Sequence, residues 1–232
     1  MRDPLRWITG LETSFDFLQC TLVPFLLDAP NEYASEGRLR AHIAKQNPQV
    51  KGMIETLENK PDVLQLENDV LVVFNGKYDH YVTPKYYVKT KPESGKFVPT
   101  WNYSAVQVYD KLSLYYDSKT PAAGDFFKKQ IQDLSEHLEA SVTGYTGGER
   151  PQPWEVGDAP DKYIELMQRN IVGIEVRIEK IQEKHNMSQE MRTRDREGVV
   201  KGFARLGNET GDVISSLVKK RGLLHDEKEQ KA

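Results

Sequence analysis

The sequence has one cysteine, Cys20, among its 232 residues. A single thiol excludes a disulfide within the chain and any metal site built from several thiolates. The five histidines show none of the i, i+3 or i+4 pairings typical of metal ligands, so we expect no metal. Cys20 itself lies among apolar and β-branched neighbours, which predicts a small buried residue of a strand rather than a nucleophile.

An excess of charge of either sign is also absent. The chain has 32 basic and 35 acidic residues and a formal net charge of -3, whereas DNA-binding domains are usually clearly basic, so we do not expect DNA as a partner. No apolar run approaches the roughly 20 residues that a membrane helix needs, and the first residues lack the apolar core of a signal peptide. We therefore expect a cytoplasmic protein with no membrane partner.

The common catalytic motifs are missing as well. The sequence contains no Walker loop, no Gly-x-Ser-x-Gly elbow, no Gly-x-Gly-x-x-Gly turn and no His-Glu-x-x-His pair. The mixed-sign run at residues 192–196 is interpreted as the solvated face of a helix. Neither observation indicates a known class of enzyme or a nucleic-acid interface.

Short β-branched and aromatic runs, separated by Gly, Pro and Asn, dominate the first two thirds of the chain. They predict strands at residues 5–9, 17–27, 38–44, 70–74, 82–89, 98–109 and 112–116, and strict alternation of apolar and polar residues predicts another at 172–178. So many short strands in one domain leave exposed edges unless the sheet curls. The pattern therefore predicts a barrel.

Helix start signals and apolar spacing predict the remaining elements. One helix begins at Pro48 and ends before the Asn59-Lys60-Pro61 breaker, and others span residues 120–138, 158–169, 188–206 and 209–221, with a surface loop at 141–157. We expect a main domain at residues 1–184 with an inserted helical segment at about 120–170, a helical extension at 185–225 and a flexible tail at 226–232.

Four segments insert polar residues into apolar or aromatic surroundings, where an unpaired polar group is costly to bury. They are residues 41–48 (AHIAKQNP), 74–87 (FNGKYDHYVTPKYY), 98–103 (VPTWNY) and 184–189 (KHNMSQ). In this order and spacing they resemble the PaiB-like family of FMN-binding split-barrel proteins. The Val-Pro-Thr-Trp-Asn-Tyr stretch is the most specific of the four.

The resemblance implies a fold and a cofactor. The expected fold is α+β and mainly β, a six-stranded antiparallel split barrel with peripheral helices and a helical C-terminal extension. The expected protein is a homodimer that binds FMN, and a small-molecule substrate, in a cleft between its subunits. Members of the family have been described as negative transcriptional regulators, and the wider superfamily contains oxidases, reductases and haem-degrading enzymes, so the fold does not fix the function.

FMN needs cationic side chains and N–H donors for its phosphate and a flat apolar wall for its ring system. The residues predicted to contact it are His42, Lys45, Asn47, Asn75, Thr83, Lys85, Trp101, Asn102, Lys184, Ser188 and Gln189, with Tyr81 and Tyr103 as further parts of the wall. Several of these residues also have an interpretation as purely structural residues. Trp101 is equally typical of a core aromatic residue, Asn47 and Ser188 of helix caps, and His42 of a structural histidine.

No residue stands out as a general acid or base. His42, His80 and Tyr81 are the candidates for catalysis, because histidine and tyrosine exchange protons with a substrate that they reach.

Two departures from the family pattern leave the function open. Arg6-Trp7-Ile8-Thr9-Gly10 stands where the family has Gly-x-Leu-Thr-Thr, so that a bulky Trp7 replaces open space, and residues 20–23 lack the histidine of the family's Ser-His-Ile-Pro-Phe. The first hypothesis is a flavin-dependent oxidoreductase. The second is a flavin-independent enzyme of a specialised biosynthetic pathway, with FMN affinity reduced or lost and an apolar substrate in the same cleft. The third is a PaiB-type transcriptional regulator.

Overall fold

A computed structural model describes residues 5–10, 19–32, 34–58 and 64–231, the first of these ranges by its backbone alone. The helix breaker predicted at 59–61 and the first two residues of the strand predicted at 17–27 lie outside the described residues. The chain divides into two compact units: unit 1 is Met1–Phe74 with Gln107–Ile181, and unit 2 is Asn75–Val106 with Gln182–Ala232. This division differs from the boundary predicted at residue 184, because it groups residues 75–106 with the end of the chain.

The strands of the chain occur mainly in groups, with helices between the groups and two helices at the end. The strands are β1 Leu5–Gly10, β2 Gln19–Pro24, β3 Leu26–Asp28, β4 Arg38–Ala44, β5 Gln65–Asn75, β6 His80–Val82, β7 Thr100–Tyr115, β8 Ile171–Arg177 and β9 Lys180–Asn186. The helices are α1 Pro48–Glu58, α2 Thr90–Ser94, α3 Pro121–His137, α4 Asp161–Gln168, α5 Thr193–Ala204 and α6 Glu209–Glu229. None of these helices, within the described part of the chain, is long and apolar enough to span a bilayer.

The strands of unit 1 form a ring. Hydrogen-bonded neighbours follow the order β2-β1-β5-β7-β8-β4-β3, in which β7 contributes its later half. The first and last strands of this order, β2 and β3, are parts of one segment that is interrupted only at Phe25. That segment pairs with β1 at its start and with β4 at its end. Six strand segments therefore close on themselves within a sheet of nine strands, so the predicted class, a mainly antiparallel split barrel, is confirmed, and the strand count differs slightly from the predicted six.

Alternation along the strands places apolar side chains inside this ring. Val172, Ile174 and Val176 of β8 are all fully buried, as are Leu112 and Leu114 of β7. These side chains belong to one cluster of buried residues, which is the main core of unit 1. Burying each side chain of this kind stabilises the fold by roughly 1.5–3 kcal/mol.

Helix α1 begins where the sequence predicts. The Asn47 side-chain oxygen accepts the backbone N–H of Gln49 at 2.9 Å, and Pro48 occupies the first helical position. Val50, Met53 and Leu57 lie buried along one face of the helix and join the core of unit 1.

A buried arginine ties the barrel to helix α3. Arg40 is 3% exposed, and its guanidinium donates to Asp28 at 2.7 and 2.8 Å, to Asp133 at 2.6 Å and to Gln130 at 3.0 Å. Since a buried charge is tolerated only when it is paired, these partners fix α3 beside β3 and β4.

Several predictions of local structure are wrong. The strand predicted at 82–89 ends at Val82, because the Thr83 hydroxyl accepts the N–H of Lys85 at 3.3 Å and caps a 3-10 turn at Pro84–Tyr86. The strands predicted at 98–109 and 112–116 are the single strand β7. Cys20, predicted to be buried, is exposed on β2.

Unit 2 has its own core beneath helices α5 and α6. Val82 and Met187 pack there with Val199, Phe203 and Ile214. Helix α5 starts at Thr193 with Arg192 as its N-cap residue, so the interpretation of Ser188 as a helix cap is wrong. Helix α6 runs to Glu229, beyond the predicted end at 221 and into the segment predicted as a tail.

Candidate functional site

Two exposed aromatic residues face solvent side by side in unit 2. Strands β6 and β7 pair in antiparallel register with Tyr81 opposite Trp101, and directly opposed residues project from the same face of a sheet. Tyr81 is 43% and Trp101 50% exposed, and the Trp101 indole donates to Asp79 Oδ1 at 2.9 Å, which fixes the plane of its ring. Trp101 is therefore not a core residue. We call Tyr81 and Trp101 the aromatic wall.

Positive charge lies on the same face as the wall. Tyr103 follows Trp101 by two residues on β7 and shares its face, and Lys184 Nζ lies 5.8 Å from the centre of the Tyr103 ring. Asn186 donates its side-chain N–H to the Trp101 carbonyl at 2.9 Å. The sequence motifs at 98–103 and 184–189 therefore meet in the fold, with Lys184 beside the wall.

The opposite face of β7 carries a buried amide. Asn102 is fully buried, its Oδ1 accepts the Ser188 hydroxyl at 2.9 Å, and its Nδ2 has no hydrogen-bond partner among the described residues. Ser188 has φ 54°, a left-handed conformation that is uncommon for residues other than glycine. The Asn102–Ser188 bond joins β7 to the residues that follow β9, and it holds the strand that carries Trp101.

A cavity of about 280 Å³ adjoins this buried face of unit 2. Thr100 and Ser188 line it together with the rings of Tyr87 and Phe97 and the side chain of Lys96. Its volume is just below the roughly 300–1,000 Å³ of typical small-molecule pockets, so it suits a fragment of a flavin-sized molecule rather than the whole.

The remaining candidates of unit 2 divide into structural and exposed residues. Thr83 caps the 3-10 turn, and Gln189 Oε1 accepts the backbone N–H of Met187 at 2.6 Å. Asn75 and Lys85 have exposed side chains. Charge and hydrogen-bonding capacity thus remain accessible at Asn75 and Lys85, whereas the other two side chains support the local backbone.

Three of the predicted contacts belong to unit 1. Asn47 uses its oxygen as the cap of α1 and donates its Nδ2 to Thr21 Oγ1 at 3.3 Å. Lys45 Nζ lies 3.4 Å from the Tyr116 carbonyl at an exposed position. The Nδ1 atom of His42 is buried without a partner among the described residues, and burial lowers the pKa of His42, which favours its neutral form.

The candidates for proton exchange differ in position. Tyr81 lies on the aromatic wall. His80 is opposite Asn102, on the other face, where its Nδ1 donates to the Tyr81 carbonyl at 2.7 Å and its ring meets Phe203 edge-on at 5.5 Å. Because Nδ1 carries the donated proton, the neutral His80 ring leaves Nε2 as the acceptor.

Sequence reasoning missed a buried carboxylate. Asp195 is 1% exposed and accepts the backbone N–H of Lys89 at 2.7 Å and that of Thr90 at 3.2 Å, besides the Thr90 hydroxyl. Arg196, 7% exposed, pairs with Asp226. The interpretation of 192–196 as a solvated helix face is therefore wrong for these two residues. Asp195 is held by neutral donors and Arg196 by a carboxylate thirty residues away, so the local run of charges at 192–196 carried no signal of either contact.

Comparison with known proteins places these observations in a family. The sequence model described as “Putative FMN-binding domain” matches residues 4–180. An uncharacterized protein of Aspergillus fumigatus is 51% identical over 227 residues, covering 93% of this chain and 87% of that protein. An uncharacterized protein of Emericella nidulans is 47% identical over 221 residues, covering 92% and 86%. Protease synthase and sporulation protein PAI 2 of Bacillus subtilis is 26% identical over 151 residues, covering 65% and 62%.

Proposed function

This chain belongs to the family of FMN-binding domains whose model matches residues 4–180, and on that basis we propose that it is a flavin-dependent oxidoreductase that acts on a small molecule. The predicted membership of the PaiB-like family is confirmed by this match together with that to protein PAI 2. FMN, the ligand that the family description states, is the predicted cofactor. The substrate class, the redox activity and the oligomeric state are the proposed part.

The aromatic wall is the observation that supports the proposal. A tricyclic ring system needs a flat apolar surface, and Trp101 and Tyr81 offer two neighbouring rings at 50% and 43% exposure. Asp79 and Asn186 hold Trp101 through its indole N–H and its carbonyl, so the surface is fixed before any ligand arrives. The cation of Lys184 lies on the same face and suits a phosphate group. The residues present therefore fit FMN.

The positions of these residues assign a role to each of them. FMN, when bound, supplies reversible redox chemistry that no side chain here provides. Trp101 and Tyr81 orient the ring system and exclude water from one of its faces. The Tyr81 hydroxyl is the group on the wall that can hold or release a proton, whereas His80 lies on the opposite face of the strand pair and positions the Tyr81 backbone.

A second copy of the chain is the proposed cover for the wall. Two adjacent, half-exposed aromatic rings leave apolar surface in water, and Tyr and Trp are enriched in the centres of protein interfaces. A homodimer that buries this face would enclose the ring system from its second side. The wall thus gives one physical reason for both a flavin site and a dimer.

The first experiment is a titration of FMN with the full-length chain, following the quenching of flavin fluorescence. We expect saturation at one FMN per subunit, and Trp101→Ala is expected to weaken binding about tenfold, since loss of an aromatic contact typically costs roughly 1.4 kcal/mol. Trp154→Ala removes a tryptophan of unit 1 that is 43% exposed and is the matched control. Equal binding by both variants would refute the role of the wall.

Two further measurements separate the parts of the proposal. Tyr81→Phe keeps the ring and removes the hydroxyl, so FMN affinity should persist while turnover with a reduced nicotinamide donor falls. Sedimentation velocity should give a dimer for the wild type and a larger monomer fraction for Trp101→Ala. A colourless protein that leaves FMN fluorescence unchanged would favour the flavin-independent enzyme instead.

A further inference from the structure

A larger cavity lies in unit 1, where helix α3 ends. It has a volume of about 430 Å³, within the range of roughly 300–1,000 Å³ typical of pockets that take a whole small molecule. Its walls come from the last turns of α3, from the π-helical turn Leu138–Thr143 and from the loop that continues to Gly157. π-helical turns are uncommon and often occur at functional sites.

The loop that closes this cavity is held by its own hydrogen bonds. The side chain of Glu139 accepts the backbone N–H of Trp154 at 3.1 Å, and its carbonyl accepts that of Tyr145 at 2.9 Å. Beyond Trp154, the N–H of Glu155 donates to Asp158 Oδ2 at 2.9 Å. A cavity whose walls are already fixed loses little conformational entropy when a ligand enters.

Aromatic rings and carboxylates line the cavity together. Tyr145 and Trp154 are 41% and 43% exposed, and Glu136 and Glu155 also line it. The hydrogen bonds recorded for the two carboxylates come from neutral donors: Glu136 accepts the side-chain amide of Gln132 at 3.0 Å, and Glu155 accepts a backbone N–H within its capping box. None of the described lining residues is basic, so the negative charge of the cavity is not neutralised from within.

This combination selects one class of ligand. Aromatic faces attract cations through their quadrupole, carboxylates attract them by charge, and both disfavour an anion such as a flavin phosphate. We propose that the cavity binds an organic cation with an apolar body, an amine or a quaternary ammonium compound. The site is separate from the aromatic wall in its residues and in its charge, and the inference does not rest on the proposed flavin chemistry.

The test compares a cation with its neutral isostere on the full chain without added FMN. Phenyltrimethylammonium and tert-butylbenzene have nearly the same shape and differ in charge. By isothermal titration calorimetry we expect saturable binding of the cation in the micromolar to millimolar range and at least about fivefold weaker binding of the hydrocarbon, the ratio that cation–π and carboxylate attraction implies. Equal binding of the two, or no saturable binding of the cation, would overturn the proposal.

Variants localise the binding. Glu136→Gln removes one negative charge but keeps a side-chain oxygen for Gln132, and it should weaken binding about threefold; Trp154→Ala should weaken it more. Glu149→Gln makes the same charge change on an exposed residue of the loop that does not line the cavity, and it should bind like the wild type. If Glu136→Gln and Glu149→Gln reduce affinity equally, the cavity is not the site.

Discussion

Replacing the buried carboxylate of Asp195 by an amide is expected to destabilise unit 2. Asp195 lies on α5 and receives hydrogen bonds from the backbone N–H groups of Lys89 and Thr90 and from the Thr90 hydroxyl. Hydrogen bonds to a charged group contribute roughly 1.5–3 kcal/mol. Asp195→Asn keeps one acceptor oxygen and turns an NH2 group toward another donor, so we expect a loss of about 2–3 kcal/mol in the free energy of unfolding.

The loss should depend on pH. Desolvation acts to raise the pKa of Asp195, but the hydrogen bonds from Thr90 and Lys89 outweigh it and hold the pKa below its usual value. Because the pKa is lower in the folded protein, the stabilisation is complete above the unfolded value of about 3.9 and is lost as the pH falls through the folded value. Asparagine does not titrate, so the stabilities of the wild type and the variant should approach each other as the pH falls below about 4.

Urea unfolding followed by circular dichroism at pH 7 and at about pH 3 measures both effects. Glu197→Gln is the control, because Glu197 is an exposed carboxylate on the same helix as Asp195 and its loss should change stability by less than about 0.5 kcal/mol. An Asp195→Asn variant as stable as this control at pH 7 would refute the reasoning. If the wild type and Asp195→Asn differ in the free energy of unfolding as much at about pH 3 as at pH 7, the stabilisation does not come from the ionised carboxylate.

Three other predictions concern unit 1. Gly173→Ala should destabilise the fold by about 1–3 kcal/mol in urea, because its Cβ would lie 2.4 Å from the ring of Phe126; Gly124→Ala, with open space at its Cβ, should not. Arg40→Met should cost less than the roughly 3–5 kcal/mol of a broken buried pair, because each carboxylate that faces it keeps another cation, and thermal unfolding checks this. An NMR titration should show a pKa for His42 below the unfolded value of about 6.5, because burial disfavours its charged form. For the same reason the fold should lose stability as the pH falls below about 6.5.

Strand prediction succeeded where apolar and polar residues alternate strictly. The alternation at residues 172–178 marks β8, whose apolar side chains are buried in the ring. It failed at 82–89, where β-branched and aromatic residues suggested a strand but Thr83 and Pro84 form a capped turn. Local capping chemistry outweighed strand propensity there, because Pro84 cannot donate to a strand ladder.

Two other strands depart from the predictions. The predicted strands at 98–109 and 112–116 left Asp110 and Lys111 between them, yet β7 continues through both residues, with Lys111 Nζ bound to Asp69 at 2.8 Å. Strand β9 is almost entirely polar, and it is a strand because it pairs with β7. Pairing with a distant part of the chain is not visible in the local pattern that a sequence presents.

The candidate site was predictable to the extent that it follows motifs. The stretches 98–103 and 184–189 were predicted to contribute, and Asn186 and Ser188 do contact Trp101 and Asn102. The exposure of Trp101 was left open, because one residue in a strand is compatible with either face until the register is known. Asp79, which orients Trp101, carried no signal of its own beyond its place between two aromatic residues.

The order of strands in the ring of unit 1 also determines when each strand can pair during translation. Strand β4 has two neighbours, β3 and β8, and the pairs that join β4 to β8 link residues such as Ala41 and Ile174. A ribosome releases β4 long before β8, so the edge of β4 that pairs with β8 has no partner while more than a hundred residues are added. Contacts of such long sequence separation close slowly. The edge of β4 that pairs with β8 is therefore open to pairing with other chains until β8 emerges.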